Sequence, residues 1–158
     1  MRKNEKTFWK LIATGFGLGY VPRAPGTAGA LGALVCAILI LRFTANPYLW
    51  IGIALLVFTA AGIIAANKLE DRWGKDPSRI VIDEVAGMWV SLMWIGKGWI
   101  PLLLAFLLFR FFDIVKPLGI RRTEQLPGGV GVMADDILSG IYANVVLQMM
   151  IRFIPALR

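Results

Sequence analysis

Five apolar runs, separated by short clusters of charge, glycine and proline, frame this 158-residue chain. They cover roughly residues 28–41, 48–66, 80–95, 99–115 and 137–154. Each is at or somewhat below the roughly 17–25 residues a helix needs to cross a bilayer. The pattern predicts an all-α, multi-helix membrane bundle of about five apolar helices. The third and fourth runs are short, with Lys97 and Gly98 between them, and once Asp83 and Glu84 are set aside the third leaves only residues 85–95. These two predict either a tight spanning hairpin or partly re-entrant helices. Ahead of the runs, residues 7–16 read as a retained interfacial helix anchored by Trp9, with Lys6 and Lys10 toward headgroups. Gly15, Gly17 and Gly19 interrupt the apolar stretch there and no small-residue cleavage site follows, which argues against a signal peptide.

Composition agrees with the pattern. Hydrophobic residues make up 58% of the chain, including six Trp, well above a soluble domain and consistent with one membrane-embedded domain over residues 1–158. No repeat or linker divides it. The lone Cys36 falls mid-span and reads as buried packing rather than a reactive thiol. With five spans, one side collects Arg2, Lys3, Lys6, Lys10, Arg23, Lys68, Arg72, Lys75, Arg79, Lys116, Arg121 and Arg122, and the other only Arg42, Lys97, Arg152 and Arg158. Basic residues stay on the cytoplasmic side, so the N-terminus is expected there. The net charge of +7 then attracts anionic lipid headgroups. Nucleic acid fits poorly as a partner, because the basic residues flank membrane segments.

Half of the ten acidic residues, Asp83, Glu84, Asp113, Asp135 and Asp136, sit at the ends of these apolar runs. An Asp at the centre of a membrane helix costs about 2.5–3.5 kcal/mol, so five facing lipid would cost on the order of 10 kcal/mol. They are expected at an interface, facing protein, neutralised by Arg and Lys or by a divalent cation. The five-span topology puts all of them on the cytoplasmic face.

Four segments carry the candidate chemistry. The first runs from Gly17 through Gly19, Pro22, Arg23, Pro25, Gly26 and Thr27 to Gly29; its glycines allow close backbone approach and Thr27 can cap the next helix, whose N-terminus would suit phosphate. As structure alone it is a turn and a cap. The second holds Asp83 and Glu84 with Gly87 one turn on; adjacent helical residues point about 100° apart, so both acids reach one site only near a helix end or open cavity. Its plain alternative is capping of the third helix with Arg79 as partner. The third places Arg110, Asp113 and Lys116 at spacings of three, along one helical face. Those cations either neutralise Asp113 or bind phosphate oxygens beside it. The fourth leads from Pro127, Gly128 and Gly129 into Asp135 and Asp136, which are either helix-start acids or hard-cation ligands. The absence of His excludes the usual Ser–His–Asp triads, histidine phosphatases and His-ligated zinc. Chemistry run by carboxylates, a hard metal and basic residues remains, and it suits phosphoryl transfer.

Taken in order, the four segments closely resemble the phosphatidylglycerophosphatase A family. The resemblance rests on Gly17-x-Gly19-x-x-Pro22-x-Ala24-Pro25-Gly26-Thr27-x-Gly29, on Asp76-Pro77 with Asp83-Glu84-x-x-Gly87, on Phe109-Arg110-x-x-Asp113-x-x-Lys116-Pro117, and on Pro127-Gly128-Gly129-x-Gly131-x-Met133-x-Asp135-Asp136-x-x-x-Gly140. Leu118-Gly119 departs from the Trp-Pro more usual after the Lys-Pro pair. The likeness implies Mg²⁺-dependent removal of the terminal phosphate from phosphatidylglycerol phosphate, in a bacterial cytoplasmic membrane with the site open to the cytoplasm. It implies metal ligands and a base among Asp83, Glu84, Asp113, Asp135 and Asp136, and phosphate contacts from Arg23, Thr27, Arg110, Lys116, Gly128 and Gly129. Water activated by the metal and a phospho-aspartate route both remain open. An ion-coupled carrier is the competing class, but such proteins place charge at the bilayer midplane and are often built from two related halves, whereas no duplication is evident here.

Overall fold

A computed structural model describes residues 3–74, 77–154 and 157. Arg2, Lys75, Asp76 and Arg158, used in the sequence reading, lie outside the described residues. The chain forms α1 (Lys3–Ala13), a 3₁₀ turn (Leu18–Tyr20), α2 (Pro25–Phe43), α3 (Pro47–Trp73), α4 (Ile82–Ser91), α5 (Trp99–Val115), α6 (Ile120–Thr123) and α7 (Gly128–Phe153). Among the described residues every element is helical.

Among the described residues three helices, α2, α3 and α7, are long and apolar enough to cross a membrane. The third apolar run does not supply another. Its helix α4 has ten residues, about 15 Å, half the roughly 30 Å hydrocarbon core. It stops because the chain turns through Trp94 and Gly96, both at positive φ, before α5 begins. The 17 residues of α5 reach about 26 Å, just short of that thickness.

The short α4 is the packed centre of the fold. Ile82, Asp83, Val85, Ala86, Gly87, Met88, Trp89 and Ser91 are all buried in it, and α2, α3, α5 and α7 pack around it. Close approach to α7 depends on two glycines. A Cβ on Gly140 would fall 2.2 Å from the Gly87 carbonyl oxygen. One on Gly87 would fall 2.5 Å from the Asp136 carbonyl oxygen and from the Phe109 ring. Small residues bring backbones together in this way where apolar transfer gives no drive between helices. Polar pairs fix the axial position: Trp89 Nε1 donates to the Ala33 carbonyl at 3.0 Å, and Asn144 Nδ2 donates to the carbonyls of Ser91 and Met93 at 3.0 and 2.8 Å. The latter satisfy carbonyls that the end of α4 leaves open.

The first helix differs from the expected 7–16. It begins at Lys3 and ends at Ala13, because Gly15, Phe16 and Gly17 all take left-handed backbone conformations. It lies along the end of α3: Lys68 pairs with Glu5 at 2.9 Å and sits 5.4 Å from the Trp9 ring centre. Lys10 stacks over Trp73 at 5.7 Å, so Lys10 and Trp9 face protein. Cys36 is also corrected. The buried stripe of α2 is Ala30, Ala33, Ala37 and Leu41, which leaves Cys36 exposed on the wall of an apolar groove between α2, Phe58 and Trp89.

Candidate active site

Helix direction brings the four motif segments to one end of the bundle: the starts of α2, α4 and α7 and the end of α5. Asp83 and Glu84 occupy the first turn of α4. Asp136 reaches them from α7 across the Gly87–Gly140 contact. One carboxylate oxygen from each of Asp83, Glu84 and Asp136 lies within 4.8 Å of the others. Asp83 and Asp136 are buried, at 7% and 3% exposure. Glu84 Oε2 and Asp136 Oδ2 are buried without a hydrogen-bond partner among the described residues, a state that native proteins resolve with water or an ion.

Asp113 closes the group from α5. Arg110 Nη1 pairs with Asp113 Oδ2 at 2.5 Å, and the Asp113 charge acts on Glu84. Burial pushes the Glu84 carboxyl above its ordinary value; Asp113 adds to the rise, while contacts with Asp83 and the Arg110 charge oppose it only in part. Converging buried carboxylates cannot all hold their charge without a counter-ion. An all-oxygen donor set with unpartnered buried oxygens therefore fits a hard divalent cation.

The start of α2 faces this cluster. The helix begins at Pro25 with Ala24 at the N-cap and no side-chain cap, so Thr27 lies in the first turn instead of capping it. Gly26 is buried, and a Cβ there would fall 2.1 Å from Glu84 Oε1 and 3.2 Å from Arg110 Nη1. The positive end of α2 thus stands against a carboxylate and a guanidinium whose Nε is buried without a hydrogen-bond partner among the described residues.

The Arg110–Asp113–Lys116 stack forms only in its first half. Lys116 precedes Pro117, where helical geometry is disfavoured, and adopts a left-handed conformation at φ 49°. Its Nζ instead pairs with Asp135 Oδ2 at 2.5 Å and Glu124 Oε1 at 2.6 Å. Partial burial works to lower the Lys116 pKa, but hydrogen bonds to Asp135 and Glu124 outweigh this and hold it above its ordinary value. Asp135 is thereby tied to Lys116, one residue from the three-carboxylate group.

Gly128 and Gly129 face α3. Gly129 N–H donates to Asn67 Oδ1 at 2.6 Å, and a Cβ on Gly129 would fall 2.3 Å from the Ile63 carbonyl oxygen. Arg23 is exposed at φ 74°, in a cleft it shares with Arg79 next to the start of α2. Asn67 and Glu124 were not anticipated from the sequence, where Arg79 entered only in the count of cytoplasmic charge and as a partner for the acids. Asn67 carried one signal, an amide near the charged end of a long apolar helix.

Residues 11–151 match the sequence model of the family described as Phosphatidylglycerophosphatase A. A Bacteroides thetaiotaomicron protein provisionally named phosphatidylinositol-3-phosphatase is 53% identical over 144 residues, covering 87% of this chain and 89% of its own. Proteins named Phosphatidylglycerophosphatase A from Haemophilus influenzae and Escherichia coli are 38% and 33% identical, covering 87% and 88% of this chain and 85% and 81% of theirs. No solved structure matches.

Proposed function

Because the chain belongs to the phosphatidylglycerophosphatase A family of phosphatases, we propose that it hydrolyses the terminal phosphate of phosphatidylglycerol phosphate, with Mg²⁺, at the cytoplasmic face of a bacterial inner membrane. The products are phosphatidylglycerol and inorganic phosphate. The observation that carries this reading is the convergence of Asp83, Glu84 and Asp136, with two buried oxygens lacking partners, beneath the uncapped start of α2.

In this reading Asp83, Glu84 and Asp136 hold the cation. A bound Mg²⁺ supplies Lewis-acid stabilisation of phosphoryl oxygens and a more acidic water. Arg110 and the Gly26 and Thr27 amides take the phosphate oxygens, a charge-assisted set at a helix N-terminus. Asp113 orients Arg110 through their ion pair. Lys116 fixes Asp135 and so sets the register of α7 behind Asp136. Water attacks phosphorus, the bond from phosphorus to the glycerol oxygen breaks, and a proton passes to that oxygen.

A second reading has specific support. The relative with 53% identity is named for a phosphatidylinositol 3-phosphate substrate. Both lipids carry a phosphate monoester on a polyol, and a phosphodiester joins that polyol to diacylglycerol. Phosphate release by purified protein, measured with phosphatidylglycerol phosphate, phosphatidylinositol 3-phosphate, phosphatidic acid and a soluble monoester, separates the readings. We expect phosphatidylglycerol phosphate to be turned over at least tenfold faster than the others. A reversed preference selects the inositol lipid, and ion flux without hydrolysis returns the chain to the carrier class.

A further inference from the structure

Outside the carboxylate cluster, the structure has a second cationic feature. A cleft of about 400 Å³ lies between the turn that precedes α2 and the segment that leads into α4. Tyr20, Pro22, Arg23 and Pro25 line one side, and Ser78 and Arg79 the other. Among the described residues no acidic side chain lines it and none pairs with either arginine. Two arginines on its walls give the cleft a positive potential.

The backbone holds the two walls together. A Cβ on Gly19 would fall 2.0 Å from the Arg79 carbonyl oxygen, so this glycine lets the segments touch. Val81 N–H donates to the Ala13 carbonyl at 2.9 Å. Arg23 takes a left-handed conformation, rare for a residue with a long side chain, in a turn bracketed by Pro22 and Pro25.

The position of the cleft decides its meaning. Pro25 walls it, and Gly26, the next residue, lies against Glu84 and Arg110. Both cationic features therefore border the first turn of α2. Both lipids considered above carry two phosphates joined by a short polyol, one a monoester and one a diester. We propose that the Arg23–Arg79 cleft holds the phosphodiester of the lipid substrate while Arg110 and the start of α2 hold the monoester. This rests on the phosphatase reading and extends it: the enzyme selects lipids with two phosphates. It accounts for relatives named for different polyols, since the diester is common to both.

The test uses purified full-length protein in mixed micelles and two probes that each carry half of the substrate's charge. Dioleoyl phosphatidylglycerol has the diester alone, and inorganic phosphate resembles the monoester alone. We expect Arg23→Gln and Arg79→Gln each to weaken phosphatidylglycerol binding at least tenfold and leave phosphate binding within twofold. For phosphatidylglycerol phosphate, KM should rise tenfold or more with kcat within threefold. Arg121→Gln, which removes the same charge from an exposed site elsewhere, should change neither probe. Unchanged phosphatidylglycerol binding in Arg79→Gln overturns the proposal, as does an equal loss in Arg121→Gln or an equal loss of phosphate binding. If wild-type protein releases no phosphate from the lipid yet binds phosphatidylglycerol through Arg79, the cleft stands and the phosphatase substrate falls.

Discussion

Gly26→Ala adds one methyl group at the contact between α2 and the carboxylate cluster. In an open helix this change gains about 0.8–1.0 kcal/mol of helix propensity. At Gly26 the new Cβ would fall 2.1 Å from Glu84 Oε1 and 3.0 Å from Glu84 Cδ, whereas ordinary contact begins at 3.4 Å. The carboxylate must retreat by more than 1 Å, toward Asp83, Asp113 and Asp136. A misplacement of about 1 Å in a preorganised site costs on the order of 100-fold in rate, roughly 2.7 kcal/mol of barrier. Propensity and strain oppose each other in stability, so the thermal midpoint should move by only about 2–4 °C per net kcal/mol. The assay is phosphate release at saturating lipid and Mg²⁺, with Gly52→Ala as control because nothing lies within 4 Å of a Cβ there. Turnover within threefold of wild type in folded Gly26→Ala protein would refute the placement of Glu84 in the reacting site.

Arg110→Gln should lower kcat/KM at least tenfold with a small change in midpoint, whereas Lys116→Gln should chiefly destabilise. The latter loses ion pairs to Asp135 and Glu124, and because Glu124 is only half-buried the loss is about 2 kcal/mol, below the 3–5 of a fully buried pair. The Lys116 pKa is raised, so its contribution is fully present below the unfolded value near 10.4. The Lys116→Gln penalty in thermal midpoint should thus be equal at pH 7 and pH 9; a penalty that vanishes by pH 9 would contradict the pairing. Asn67→Ala removes the acceptor for Gly129 N–H at the start of α7 and should cost about 1 kcal/mol while turnover persists. Single cysteines at Ser78 and Thr123, in a Cys36→Ala background, should react with an impermeant thiol reagent from the cytoplasmic side only, and periplasmic labelling would overturn the orientation.

Much of the site was legible because run lengths fix which ends of helices meet. Alternating the apolar runs places residues 15–27, Asp83, Glu84, Asp113, Asp135 and Asp136 at one end; the structure brings Gly26, Asp83, Glu84, Asp113 and Asp136 together there and turns Asp135 to Lys116. The status of α4 was not legible, since a short apolar run reads alike as a membrane helix and as a helix buried in protein. Its length is decided by the turn through Trp94 and Gly96 and by Asn144, 51 residues from Met93. Ion pairing was legible only within a helix: Arg110–Asp113 follows from spacing, but Lys116 leaves the stack at Pro117 and finds Asp135 and Glu124 through tertiary structure. Helix starts were similarly ambiguous. Thr27 has the right chemistry for a cap, yet Pro25, pre-set for a first turn, begins the helix two residues earlier.

If Asp83, Glu84 and Asp136 form a divalent-cation site, phosphate release depends on it. The most direct test is titration of Mg²⁺ into metal-stripped protein, followed calorimetrically and by turnover, for wild type and Asp136→Asn. The stripped wild type should show no turnover, saturable Mg²⁺ binding should restore it, and folded Asp136→Asn should lose both. Full turnover after verified metal removal, or Mg²⁺ binding unchanged in Asp136→Asn, would contradict this assignment.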